Sequence, residues 1–179
     1  TTIDQLRVSA GRIVTISGSV TLTVDGGAAT SVLQSTGTVA GAGTLLITAT
    51  ADRELNNGSI TVSNLTLNPD SDDDDFTIRT GTIVTVTGTL EIQNGSVNLA
   101  TATLDLVNLT IKSTASSVAN SEGLQLTGSA SVLQVRGDWT QESGGVWSPG
   151  FDSTVTFDGA SAQTVDQEAD RRAHVGVHA

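Results

Sequence analysis

Apolar and polar residues alternate along this chain in very short runs, each closed by glycine, asparagine or serine. Ile60-Thr61-Val62, Leu65-Thr66-Leu67, Val84-Thr85-Val86, Leu90-Glu91-Ile92, Val97-Asn98-Leu99, Leu104-Asp105-Leu106 and Leu109-Thr110-Ile111 all read apolar, polar, apolar. Period-two alternation sends the two outer side chains to one face and the middle one to the other, so each triplet predicts a strand with one buried side. From Val84 to Leu109 the triplets begin 6, 7, 7 and 5 residues apart. Hairpin strands of about five or six residues plus their turns do not fit that spacing. A chain that turns a corner every few residues and stacks each coil on the last does. The pattern therefore predicts an all-β fold, a parallel β-solenoid with roughly three short strands per coil, over residues 1–179 as a single domain.

Internal echoes support coiling. Val8 to Gly26 resembles Ile78 to Ser96: at an offset of 70, Gly11 falls on Gly81, Ile13 on Ile83, Val14 on Val84, Thr15 on Thr85 and Gly18 on Gly88. Asn64-Leu65-Thr66 returns as Asn108-Leu109-Thr110 at an offset of 44, and Ser31-Val32-Leu33-Gln34 as Ser131-Val132-Leu133-Gln134 at an offset of 100. With roughly 20–25 residues per coil, 44, 70 and 100 are about two, three and four to five coils. About seven or eight coils at 4.8 Å per rung predict a rod on the order of 35 Å long.

Two segments interrupt the pattern. Asn68-Pro69-Asp70-Ser71-Asp72-Asp73-Asp74-Asp75 reads as an exposed loop, because its five carboxylates cannot be buried without partners. From Gly137 onward the strands lengthen, and both Trp, two of the three Phe and the second Pro appear. Residues 166–179 read as a strand-like tail, with a weak helical periodicity over Gln163 to Ala173.

Composition narrows the core to aliphatics. Of 179 residues 37% are apolar, with three Phe, two Trp and no Tyr, Met or Cys, while Thr numbers 28 and Gly 19. Stacked Val, Ile and Leu with glycine corners fit an all-β core without large aromatics. The absence of Cys excludes disulfides and thiolate metal sites. Seven Arg and one Lys leave a net charge of −11, which repels nucleic acid and anionic lipid. With no apolar run near 18 residues, no membrane insertion is expected. With no signal peptide and no Met at Thr1, the chain reads as a processed mature protein or an excised segment.

Residues 133–165 carry a resemblance. Leu133-Gln134-Val135-Arg136-Gly137-Asp138-Trp139-Thr140, then Ser143-Gly144-Gly145-Val146-Trp147, Pro149-Gly150, Val155-Thr156-Phe157-Asp158-Gly159 and Gln163-Thr164-Val165 look like a recurring unit of very large bacterial surface proteins. That unit reads G-D/N-W, a short glycine turn, an aromatic, P-G, then T-V-x-F-x-G with Q-T-I a few residues later. The chain thus resembles filamentous-haemagglutinin-like and autotransporter-like adhesins. The resemblance implies a right-handed parallel β-helix exported to the cell surface, an extracellular location, and further coils beyond Val165.

Candidate chemistry is sparse. Asp70, Asp72 and Asp74 alternate and could turn oxygens one way toward Ca²⁺, although the run lacks the inner glycine and distal Glu of an EF-hand. No other cofactor is expected. Asn57, Asn64, Asn94 and Asn108 open N-x-S/T sequons and are candidate glycosylation sites. Arg136-Gly137-Asp138 spells the tripeptide that integrins read, but belongs to the unit just described. Trp139 and Trp147 could line a shallow glycan-binding groove, and Thr21/Thr23, Thr48/Thr50 and Thr85/Thr87 could build an ice-binding array if they stack. For catalysis nothing converges. Lys112 has no acidic cluster near it in sequence, Asp105 and Glu91 stand at outward positions without a pairing residue, and His174 and His178 are separated by Gly176.

These features predict a non-enzymatic, extracellular structural or adhesive solenoid. It would assemble head to tail with itself, or with neighbouring surface-protein coils, by coil stacking or strand addition. The alternatives are a glycan- or ice-binding module of a giant adhesin and, less favoured, a carbohydrate-active enzyme.

Overall fold

The structure, a computed structural model, describes residues 2–26, 31–49, 52–69, 75–112, 123–128, 130–148 and 153–167. All regular elements among them are strands. In chain order they are β1 Thr2–Ile3, β2 Leu6–Val8, β3 Ile13–Thr15, β4 Thr21–Val24, β5 Ser31–Ala49, β6 Arg53–Pro69, β7 Asp75–Ile78 and β8 Ile83–Ile92. There follow β9 Ser96–Leu99, β10 Thr103–Ile111, β11 Leu124–Gln125, β12 Val132–Val135, β13 Trp139–Gln141, β14 Trp147–Ser148, β15 Thr154–Phe157 and β16 Val165–Gln167. Every pairing is parallel and all sixteen join one hydrogen-bonded sheet. The fold is an all-β parallel β-solenoid of about six turns.

Each turn has three faces, as the triplets predicted. On the first face Leu6, Leu33, Leu55, Ile78 and Leu99 stack in register. On the second, Val14, Val39, Ile60, Val84, Leu104, Leu133 and Val155 form seven rungs that bound six turns. On the third, Leu22, Leu45, Leu65, Leu90, Leu109, Trp139 and Val165 stack likewise. The three inward columns meet as one core, fully buried through its middle turns. Each such Val, Leu or Ile contributes about 1.5–3 kcal/mol by burial, and register is fixed because a one-residue slip would turn the whole apolar set outward.

β5, β6, β8 and β10 each run round a corner, with register shifts such as that between Leu106 and Asn108. A second corner, entering the second face, takes a left-handed backbone: Gly11 (φ 71°), Gly81 (φ 78°), Thr101 (φ 58°) and Ala130 (φ 66°) each stand two residues before the strand. Glycine fits that conformation without strain, and Thr and Ala hold it at a cost.

The echoes resolve into geometry. Val14 and Val84 lie in one column three turns apart, and Leu65 and Leu109 in one column two turns apart, so the offsets of 70 and 44 are true coil repeats. The offset of 100 is not. Leu33 stacks on the first face between Leu6 and Leu55, whereas Leu133 stacks on the second between Leu104 and Val155. The described residues make about six turns rather than seven or eight, because the number of residues per turn is uneven: the offset across stacked contacts is 25 from Asn64 to Thr89 but 30 from Asn108 to Asp138.

Candidate functional site

Three of the residues singled out in the sequence, Asn64, Asn108 and Asp138, stand at the corner entering the third face, where they brace one turn to the next. Asn64 Oδ1 accepts the backbone N–H of Thr89 at 3.1 Å, Asn108 Oδ1 that of Asp138 at 2.9 Å, and Asp138 Oδ1 that of Thr164 at 2.9 Å. Each bond serves a corner donor that the strand ladder leaves out. The preceding glycines make room: a Cβ at Gly88 would lie 2.7 Å from Asn64 Oδ1, and one at Gly137 2.4 Å from Asn108 Oδ1.

The surface-protein-like unit is a physical unit as well. Gln163 accepts the Gly159 N–H at 3.1 Å and donates to the carbonyls of Val135 and Gly137, both at 2.8 Å. A Cβ at Gly159 would sit 2.0 Å from the Arg136 carbonyl. Gly137, Asp138, Gly159, Gln163 and Thr164 thus cross-brace two successive turns. Arg136-Gly137-Asp138 is part of that brace, with Arg136 Nη2 2.7 Å from Asp105 Oδ2 and the Asp138 carboxylate holding Thr164.

Trp139 and Trp147 do not line a groove. They are 2% and 7% exposed, their rings 5.0 Å apart and nearly perpendicular at 83°, with Phe157 6.0 Å from Trp139. Trp139 replaces Leu109 one rung on, so the indoles fill the core where coils lengthen and present no face on which a sugar could stack. The Trp139 Nε1 is buried without a hydrogen-bond partner.

Of the sequons, Asn64 and Asn108 are half-buried and serve as corner caps, and Asn94 Nδ2 donates to the Pro69 carbonyl at 3.1 Å. Asn57 lies on β6, and its side chain is outside those the structure describes. Asp70, Asp72 and Asp74, and both histidines, lie outside the described residues. Among the described residues no three His, Cys, Asp or Glu converge as a metal site.

Two charged residues left unpaired by sequence reasoning find partners across turns, Lys112 Nζ lying 2.8 Å from Glu142 Oε1 and Asp105 pairing with Arg136, while Glu91 accepts from Gln93 Nε2 two residues along its own rung. The hydrogen bond from Lys112 to Glu142 raises the lysine pKa above its ordinary 10.5, against a lowering by desolvation, with the charges of Glu142 and Glu91 adding to the rise. Arg79 and Glu54 make a third inter-turn pair. All three cross roughly one coil length, a separation that no local pattern reveals.

The threonines sort by face. Thr21/Thr23 stand on the third face and Thr85 on the second, while Thr50 lies outside the described residues, so the three pairs do not form one column. A different array forms on the outward side of the second face. One column runs Ile13, Thr38, Ser59, Ile83, Thr103, Val132, Thr154, and the other Thr15, Ala40, Thr61, Thr85, Asp105, Gln134, Thr156. All fourteen are exposed or half-buried. Sequence inspection missed it because its members alternate with core residues on rungs 20 or more positions apart.

The fold and its braced corners define a parallel β-solenoid built of coil repeats. Comparison with protein-family models, with curated proteins and with solved structures finds no match to this chain.

Proposed function

We propose that this chain is a structural or adhesive β-solenoid of the cell exterior that acts by continuing its ladder into neighbouring coils, those of a second copy or of an adjoining surface protein. The carrying observation is the state of the second face. Among the described residues β3 pairs only with β5, and β15 only with β12, so each has a free parallel edge in register with the same column. Free edges of this kind template further strands. A contact between β15 of one copy and β3 of the next is head to tail, does not close, and gives a filament. The resemblance of residues 133–165 to a cell-surface repeat supports the extracellular setting, and no catalytic role is assigned.

Electron microscopy of the purified protein over a concentration series, with and without calcium, tests this reading. Filaments lengthening with concentration are the expected result, and calcium-dependent growth would bring Asp70, Asp72 and Asp74 into the assembly. Dispersed short rods at every concentration would overturn it.

A further inference from the structure

We propose that the outward side of the second face binds ice. Seven of its fourteen positions are threonine and the rest are mainly small or β-branched aliphatics. The rungs repeat at about 4.8 Å along the axis, and alternate residues within a rung stand roughly 6.7 Å apart, so hydroxyls and methyls form a two-dimensional lattice on the scale of water–water repeats in ice. Register across this face carries no bulge; the shifts fall at corners. Threonine is stiff at χ1, so its hydroxyl and methyl are already held in place before contact.

Charge points the same way. In a chain of net charge −11 this face carries one carboxylate, Asp105, and Arg136 neutralises it at 2.7 Å. The neighbouring third face, by contrast, presents Glu91 and Asp166 outward. A solid water lattice cannot rearrange to hydrate a charge as liquid water does, so a neutral face is the one suited to it. Ile13 and Ile83, 67% and 50% exposed and three turns apart in one column, add methyl groups that ordered water can cage.

The other occupants fit less well. Six intervals of about 4.8 Å by roughly 10 Å of width make an area near 300 Å², well below the roughly 800 Å² per partner of a stable protein interface. A crystalline polysaccharide would be met by aromatic rings, and Trp139 and Trp147 are in the core.

The test measures ice shaping, thermal hysteresis and recrystallisation inhibition with the whole chain, at concentrations too low for self-association so that coil stacking plays no part. The wild-type protein is expected to shape ice. Thr61→Lys with Thr85→Lys, and separately the milder Thr85→Gln, are expected to lose that activity, while Thr66→Lys with Thr110→Lys on the third face keeps it. Circular dichroism establishes that each variant is folded. No ice shaping by the wild-type chain, or equal loss in the third-face variant, overturns the proposal; filaments without ice activity would do so while leaving the assembly reading standing.

Discussion

Asn108 Oδ1 accepts the backbone N–H of Asp138 at 2.9 Å, one full turn along the solenoid. Asp138 in turn accepts from Thr164 in the next turn, so a side chain and a carboxylate carry the corner upward where the strand ladder is interrupted. Removing the acceptor leaves a backbone donor without its partner. Because that donor stands at an exposed corner, Asn108→Ala should cost about 0.5–1.5 kcal/mol in urea unfolding, and Asn108→Asp, which keeps an acceptor oxygen, less. Gly137→Ala should mimic the loss, since its Cβ would press on Asn108 Oδ1. Equal stabilities for wild type and Asn108→Ala would mean that the cap carries no weight.

Ala130 holds φ at 66°, in the corner column where Gly11 and Gly81 hold 71° and 78°. An L-residue there costs roughly 1–2 kcal/mol, against roughly 0.5–1 kcal/mol for the greater chain entropy of glycine. Ala130→Gly should then stabilise the protein by up to about 1 kcal/mol, a rise of about 2–4 °C in Tm for a domain of this size. Gly81→Ala should lower Tm. A fall in Tm for Ala130→Gly would contradict the assignment of strain.

Trp139 divides a core role from a binding role. Trp139→Ala should destabilise by about 3–5 kcal/mol, as truncation of a buried aromatic does. Trp139→Phe should cost less, since it keeps the ring contacts with Trp147 and Phe157 and removes a buried Nε1 that has no partner. Thermal melts of the two variants check this. A Trp139→Ala variant as stable as wild type would return the indole to the surface.

Lys112 gives a pH dependence of known sign. Its pKa is raised in the folded state, chiefly by the hydrogen bond to Glu142, so the pair's contribution is complete below the ordinary value of 10.5 and disappears as pH rises through the folded one. The stability difference between wild type and Glu142→Gln should hold constant from neutral pH to that point and then vanish. A difference independent of pH throughout would place the stabilisation elsewhere.

The parallel solenoid and its three faces were legible in the triplets because period-two alternation is a local signal, and Val14 and Val84 kept their column across three turns. The inter-turn pairs were not. Arg136 finds Asp105 and Lys112 finds Glu142 across 31 and 30 residues, a distance set by an uneven number of residues per turn. The same unevenness made Leu33 and Leu133 appear equivalent although they occupy different faces. Trp139 looked like a binding residue because aromatic rings are rare here, but its place above Leu109 puts it inside the coil.

The most direct test of coil stacking uses the chain's lack of cysteine. If β15 of one copy continues into β3 of the next in the register of the existing rungs, Thr156 of the first lies beside Thr15 of the second. Adjacent strands are about 4.8 Å apart, within the roughly 4.4–6.8 Å Cα span of a disulfide. Oxidising the double variant Thr15→Cys with Thr156→Cys should give a ladder of covalent oligomers on a non-reducing gel, whereas either single variant should give dimers at most. A double variant that stays monomeric with both thiols free would contradict the account.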